Sequence, residues 1–362
     1  MPARVDRLDG FQRRHPSIGF PIAVLYKFVD DQGVYLAALI TYYGFLSLFP
    51  LLLLLASVVG FVLQNDPELQ ARILDSTLSQ FPIIREELGD PAGLQGSTAA
   101  VVVGGLIALY GALGVAQAIQ NAMNAAWAVP RNRRPNPLRA RLRSLLLLLT
   151  AGLAVLTATF LSGVVSSASA FGAQPSAAVR VAATVAGVVL NAVVLVIIFR
   201  VATARELRKR DVLPGAFIAA VLWQLLQIGG AAYVDRVLVN TSSMTKTFGL
   251  VLGLVGFLYI GAVLAVLATE INVVLSRRLW PRALLTPFTD NVQLTDADRR
   301  AYALYARMQR HKGFEEVLVR WDPGPAERAV EPPDQPADEP SSEPADEPSS
   351  EPADEPSPQR PA

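Results

Sequence analysis

The residues whose type and spacing could do chemistry here are polar side chains set inside apolar blocks. Gln117, Gln120, Asn121 and Asn124 fall at i, i+3, i+4 and i+7, one stripe on one helix face. Such amides can hydrogen-bond a polar solute or a headgroup, or they can bond neighbouring helices. Two placements stay open for them. The stripe lines an interior, or the helix leaves the apolar layer near Ala116 and the stripe lies among headgroups. The apolar run 99–116 has 18 residues, about 27 Å of helix, which is long enough for the second placement. Glu270, with Asn272 two positions on, lies near the end of the last apolar block. An ionisable group there is costly and requires a partner or a wet cavity. Arg200 and Arg205 are its expected partners, and a structural ion pair is favoured over proton coupling. Gln224 and Gln227, at i and i+3, are expected to bond across helices, for about 0.6–2 kcal/mol each. Thr41, Tyr42 and Tyr43 complete a candidate polar cavity. Pro50 removes a backbone donor and is expected to kink its helix, freeing the carbonyl near Leu46.

Much other chemistry is excluded. The chain has no cysteine, so disulfides, thiolate metal sites and cysteine nucleophiles are absent. Its only histidines are His15 and His311. The segment 130–143 carries six arginines but no acid that could hold a metal for phosphodiester hydrolysis. The glycines follow no strand and precede no phosphate-binding lysine. No catalytic residue, cofactor, metal or nucleic-acid partner is expected.

The elements that must position these groups are long apolar helices. Apolar residues make up 52% of the chain and come in six blocks, at roughly 34–63, 99–127, 145–171, 181–199, 212–234 and 247–275. Crossing a bilayer takes about 20 mostly apolar residues, and only a helix satisfies its own backbone in lipid. The segments between the blocks alternate in Lys and Arg, nineteen against four. That asymmetry predicts six spans with both termini in the cytoplasm. Trp127 and Trp280 fall at the expected inner boundaries. No cleavable leader is expected in the polar first 16 residues.

The fold class expected is all-α, a polytopic membrane protein of six transmembrane helices with short amphipathic surface helices and a disordered C-terminal tail. A cytoplasmic segment 1–33 includes a surface helix near 17–29, and the transmembrane domain spans 34–275. The connection 64–97 is expected to carry an amphipathic helix on the outer side. In the segment 276–322, Thr295 with Asp298 resembles a helix capping box, followed by an apolar face of Ala301, Leu304, Tyr305 and Met308. Residues 323–362 hold eleven acids against two arginines and repeat ADEPSSEP, a composition expected to stay disordered. Small residues, Gly104 with Ala108 and Ala112, and Gly249 with Gly253, are expected at close helix contacts.

The segment AALITYYGFLSLFPLLLLLASVVG at 37–60 resembles the first-helix signature of the YihY/BrkB family of bacterial inner-membrane proteins, through Tyr42, Tyr43, Ser47, Leu48, Phe49 and Pro50. NAMNAAWAV at 121–129 resembles the end of its second helix. FGLVLGLVGFLYIGAVLAVLATEINVVLSRR at 248–278 resembles its closing signature, with Glu270 and Asn272 matching a recurrent Glu-hydrophobic-Asn. The resemblance covers about 17–280. Thr269 departs from it, standing where the pattern has a small glycine, and the stretch 240–246 matches nothing in it. The resemblance implies a six-helix plasma-membrane protein without a settled activity, whose members have carried ribonuclease, serum-resistance and transport labels.

Two functions follow as expectations. The first is a transporter or permease for a lipid or small solute, with a path past Thr41, Tyr42, Tyr43, the amide stripe, Gln224 and Glu270. The second is a non-catalytic membrane scaffold or envelope-integrity factor. The lipid bilayer is the expected environment, and a homo-oligomer is compatible with either. An enclosed polar cavity favours the first, and a dry, packed interior the second.

Overall fold

The computed structural model describes residues 2–62, 98–170, 177–234, 243–290 and 292–321. The described residues form helices and connections, with no strand among them. Two short helices come first, α1 (Pro2–Arg14) and α2 (Pro16–Asp30). Six long ones follow: α3 (Gly33–Val62), α4 (Thr98–Ala126), α5 (Pro137–Ala170), α6 (Ala177–Ala202), α7 (Lys209–Tyr233) and α8 (Ser243–Arg277). Helix α9 (Asp296–Met308) closes the series.

Local chemistry sets these boundaries. Prolines open α1, α2 and α5, in the first turn where a missing N–H costs nothing. Between α2 and α3, Gln32 takes a left-handed φ of 56°, turning the chain within two residues. Thr295 caps α9 as the sequence predicts, accepting from Asp298 N–H while the Asp298 carboxylate accepts from Thr295 N–H.

The long helices form a ring. Each packs on the next in the chain, and α8 returns to α3. Helix α4 also reaches across to α6 and α8. The most extensive contact is between α3 and α4, where Gly114 leaves room for the Tyr43 ring and Gly111 for Ser47. Ala108 and Ala112 are buried on the same α4 face, as expected of small residues. Of the other expected pair, Gly253 receives the Tyr233 ring, whose hydroxyl donates to Gly249 O at 3.1 Å.

Polarity is distributed inside out. Val181, Val185, Val189, Val193 and Ile197 are exposed every fourth residue on α6, and Leu142, Leu145, Leu149, Leu153 and Leu156 on α5. Such continuous apolar faces are rare on soluble monomers, and lipid covers them. Among the described residues four stretches are long and apolar enough to cross a membrane: Gly105–Ala126, Val181–Ala202, Lys209–Tyr233 and Phe248–Arg277. The sequence count is six, so this measure supports four. The other two blocks lie on α3 and α5, and α3 contributes only the shorter apolar stretch Gly33–Leu48.

Several sequence expectations are corrected at the end of the bundle that carries α1, α2 and α9. Helix α2 does not simply rest on a surface. Its Ala23, Val24, Lys27 and Phe28 are buried against the bundle, largely on α8, while Ile18, Leu25 and Val29 face outward. Trp127 directly follows the apolar stretch Gly105–Ala126, where the sequence places it, and its ring is buried in the core there with Met123, Phe199 and Val266. Helix α9 packs as expected, through Ala301, Leu304 and Tyr305. Helix α3 continues through Pro50, whereas the 64–97 connection and the 323–362 tail lie outside the described residues.

Candidate functional site

The predicted polar residues do not converge on one cavity. Helix α4 sends them to different neighbours. Gln120 is buried and donates to Ala140 O (3.2 Å) and Ser144 Oγ (2.8 Å) on α5. Asn124 is buried one turn on, and its Oδ1 accepts from Ala204 N–H at 2.7 Å, beyond the end of α6. Gln117 is half-buried and Asn121 exposed, and they reach each other at 3.4 Å. The stripe is therefore split, two members inside and two toward the outside. Burial of Gln120 and Asn124 favours donors and acceptors on neighbouring helices over water.

The remaining members also separate. Thr41 is buried and bonds Ala37 O in its own helix at 2.8 Å. Tyr42 is exposed, and Tyr43 packs on α4. Gln224 and Gln227 are half-buried on α7. Asn272 is buried and accepts from Gly215 N–H of α7 at 2.7 Å. A Cβ at Gly215 would run into the Ala268 carbonyl, so α7 and α8 meet here backbone to backbone beside Pro214. Thr269, where the family pattern has glycine, uses its hydroxyl on Ala265 O (2.9 Å) and Met123 Sδ (3.2 Å).

Glu270 leads to the candidate site. It is 0% exposed, and its partner is Lys27 of α2 at 3.4 Å, not Arg200 or Arg205. Arg200 is instead tied to Leu207 O at 3.0 Å. Lys27 is 1% exposed and also donates to the Asp31 carboxylate and to Ala126 O, the latter at 3.0 Å, under the Tyr305 ring at 5.2 Å. The Glu270 carboxylate is held chiefly by the Lys27 charge at 3.4 Å. Burial opposes the Lys27 charge, but the Glu270 and Asp31 carboxylates outweigh it and raise the lysine above its ordinary range.

A second cluster adjoins the first. Arg282 is buried, donating to Asp298 through Nε and to Asp30 through Nη2 at 3.1 Å, with the Tyr302 ring 5.4 Å away. Asp298 accepts from Ala283 N–H (3.0 Å) as well as capping α9. Burial raises Asp30, and the Arg282 guanidinium draws it part of the way back. On α1, Asp9 accepts from Leu284 N–H at 3.0 Å, and Gln12 reaches Arg282 O. Two cations thus meet four carboxylates where α2, α4, α8 and α9 converge. One lysine serves two buried carboxylates, an arrangement that can hold a single shared proton. Among the described residues no group of three His, Asp or Glu is placed to hold a metal.

The sequence marks Glu270 but not Lys27, Asp31, Asp30 or Arg282. One signal was available. Lys27 is the lone cation in the apolar stretch 16–29, with Asp31 four residues on.

The chain is similar to "Inner membrane protein YhjD" of Escherichia coli (strain K12), 26% identical over 266 residues, covering 68% of this chain and 78% of that one. It is also similar to an uncharacterised protein of Dickeya dadantii (strain 3937), 27% identical over 264 residues, covering 68% and 80%. No solved structure matches. The family model described as "Virulence factor BrkB" matches residues 24–289, a span that opens just before Lys27 and closes just after Arg282. This protein is therefore a member of the virulence factor BrkB family.

Proposed function

We propose that the chain is a bacterial inner-membrane permease for a lipid or small solute. It crosses the bilayer six times with the α1–α2–α9 end in the cytoplasm, and the Lys27–Asp31–Glu270 cluster is the closed inner gate of its path. What carries the reading is the pair of buried carboxylates on one lysine. Apolar side chains would pack the same space at no electrostatic cost, and a buried ion pair is weak support for stability alone. A surplus acid beside a lysine can change its proton occupancy and so its grip on α2. Ionisable groups at such positions commonly belong to ion paths and proton relays. The segments rich in arginine meet at this end, in keeping with a cytoplasmic face. The location is supported by the Escherichia coli relative, an inner membrane protein by name.

A second reading, a membrane scaffold, is favoured by one observation. Gln120 and Asn272 bond neighbouring helices and Asn124 the connection beyond α6, which supports a packed interior at these positions.

Purified protein in liposomes separates the two. A panel of labelled phospholipids and solutes is followed together with an internal pH dye. The permease reading expects movement of at least one panel member with coupled proton flux, lost in Glu270→Gln and retained in part by Glu270→Asp. No movement across the panel, with Glu270→Gln indistinguishable from wild type in cells, overturns it. A co-purifying partner lost on removing residues 283–362 then supports the scaffold.

A further inference from the structure

A cleft of about 1240 Å³ lies where α5, α6, α7 and the connection between α6 and α7 meet, with Ser276 of α8 on its wall. Arg143 of α5, Arg200 of α6, Arg205 and Arg208 of the connection, and Arg210 of α7 all line it. Only two acids, Glu206 and Asp211, share the lining, and the Asp211 carboxylate is engaged by Arg208 N–H at 3.3 Å. None of the five guanidiniums makes an ion pair among the described residues. The contrast with the gate is informative. Where this fold buries a cation, at Lys27 and Arg282, it brings carboxylates to it. In the cleft it gathers five cations from four elements against two acids, leaving a surplus of positive charge.

Two of the five are also set in place. Arg200 Nε donates to Leu207 O at 3.0 Å and Arg143 Nη1 to Thr203 O at 3.5 Å. A guanidinium has five donors, so one such anchor leaves a fork available while fixing its position. A segment that only sets topology needs positive charge, but it needs neither convergence nor anchoring. Repulsion among five like charges is relieved by an anion able to accept several forked donors at once, and phosphate is the common group of that geometry. Ile197 and Val201 form the apolar wall, and the exposed row from Ile197 to Val193 and Val189 continues from it along α6. A diacyl chain could lie along that row with its headgroup in the cleft.

We infer that this cleft binds a phosphate group, presented by an anionic phospholipid at the membrane surface or by a soluble phosphate compound. The inference stands apart from the permease reading, since a scaffold could carry the same site.

The full chain, purified in detergent, is titrated with phosphatidylglycerol and with phosphatidylcholine, and separately with pyrophosphate, and bound species are counted by native mass spectrometry. The variant Arg205→Gln with Arg210→Gln removes two cleft charges that bond no other described residue. The variant Arg131→Gln with Arg133→Gln removes the same charge from the same end outside the cleft. The expected result is preferential binding of phosphatidylglycerol that weakens about tenfold in the cleft variant and little in the control. Lysine replacements at 205 and 210 should recover only part of it, because they restore charge without the fork. Saturable pyrophosphate binding with the same dependence on the cleft variant, without phosphatidylglycerol preference, supports the site and assigns it to a soluble ligand. Equal weakening by the two variants, or no binding of either phosphate probe, overturns the inference.

Discussion

Lys27 and Glu270 come from opposite ends of the sequence, and each solves the other's burial. The lysine's elevated pKa gives its contribution a definite sign. A base raised above its unfolded value lends stability that is fully present below the ordinary pKa of 10.5 and is lost as pH rises through the elevated value. The lysine's own contribution to wild-type stability should therefore persist at neutral pH and be lost only under strongly alkaline conditions, read from melting temperature against pH. At neutral pH, Lys27→Met strands two buried carboxylates and should cost about 3–5 kcal/mol, read as a lower melting temperature in detergent. Adding Glu270→Met should restore part of that loss, and a purely additive pair would show that the two side chains are not coupled. At this scale the sequence was half legible. A lone acid in the last apolar block stands out. A lone lysine in an amphipathic helix reads as a side chain that reaches for water. Only docking of α2 onto α8 turns it inward.

Among the elements, α4 is the hub. Its C-terminal half holds α5 through Gln120, the end of α6 through Asn124, α8 through Met123, and α2 through the Ala126 carbonyl. The spacing of the amides was plain in the sequence, but their destinations were not. Whether an amide faces water or a helix depends on which helix lies opposite, and ring closure decides that. Contact between α7 and α8 rests on Gly215. Gly215→Ala should force the helices apart at the Ala268 carbonyl and cost about 1–3 kcal/mol. Gly229→Ala, on the same helix with nothing within 4 Å of the added methyl, should be neutral or stabilising by about 0.5–1 kcal/mol. Thermal melts of the two variants make the comparison. Equal effects would remove the argument from close approach. Helix α9 was readable in advance because its capping box and apolar face are local signals. That Asp298 also neutralises Arg282 was not, since one carboxylate serves both tasks.

The whole molecule is a ring of apolar helices turned outward to lipid, tied at one end by charge. Hydropathy made the apolar helices legible, and the alternation of basic segments anticipated that those segments gather at one end, because both are summed properties of many residues. The ionic ties were not, because each joins residues far apart in the chain: Lys27 to Glu270, and Arg282 to Asp30. These ties assign different weights to the two parts of the C-terminal region. Removing 323–362 should leave the melting temperature unchanged. Removing 292–362 deletes Asp298 and Tyr305 from the cluster and should cost about 3–5 kcal/mol, the range for a broken buried pair. The central claim, that the Lys27–Asp31–Glu270 cluster closes the inner end, has a direct test because the chain has no cysteine of its own. A single Ala126→Cys, at the buried position whose carbonyl receives Lys27, is labelled with a membrane-impermeant maleimide in inside-out vesicles. Slow labelling that rises about tenfold when Glu270→Gln is added, with the melting temperature still cooperative, is the result expected if the ion pair latches α2 over the bundle. Labelling that is equally fast with and without Glu270, or equally slow in both, would contradict a gate at this cluster.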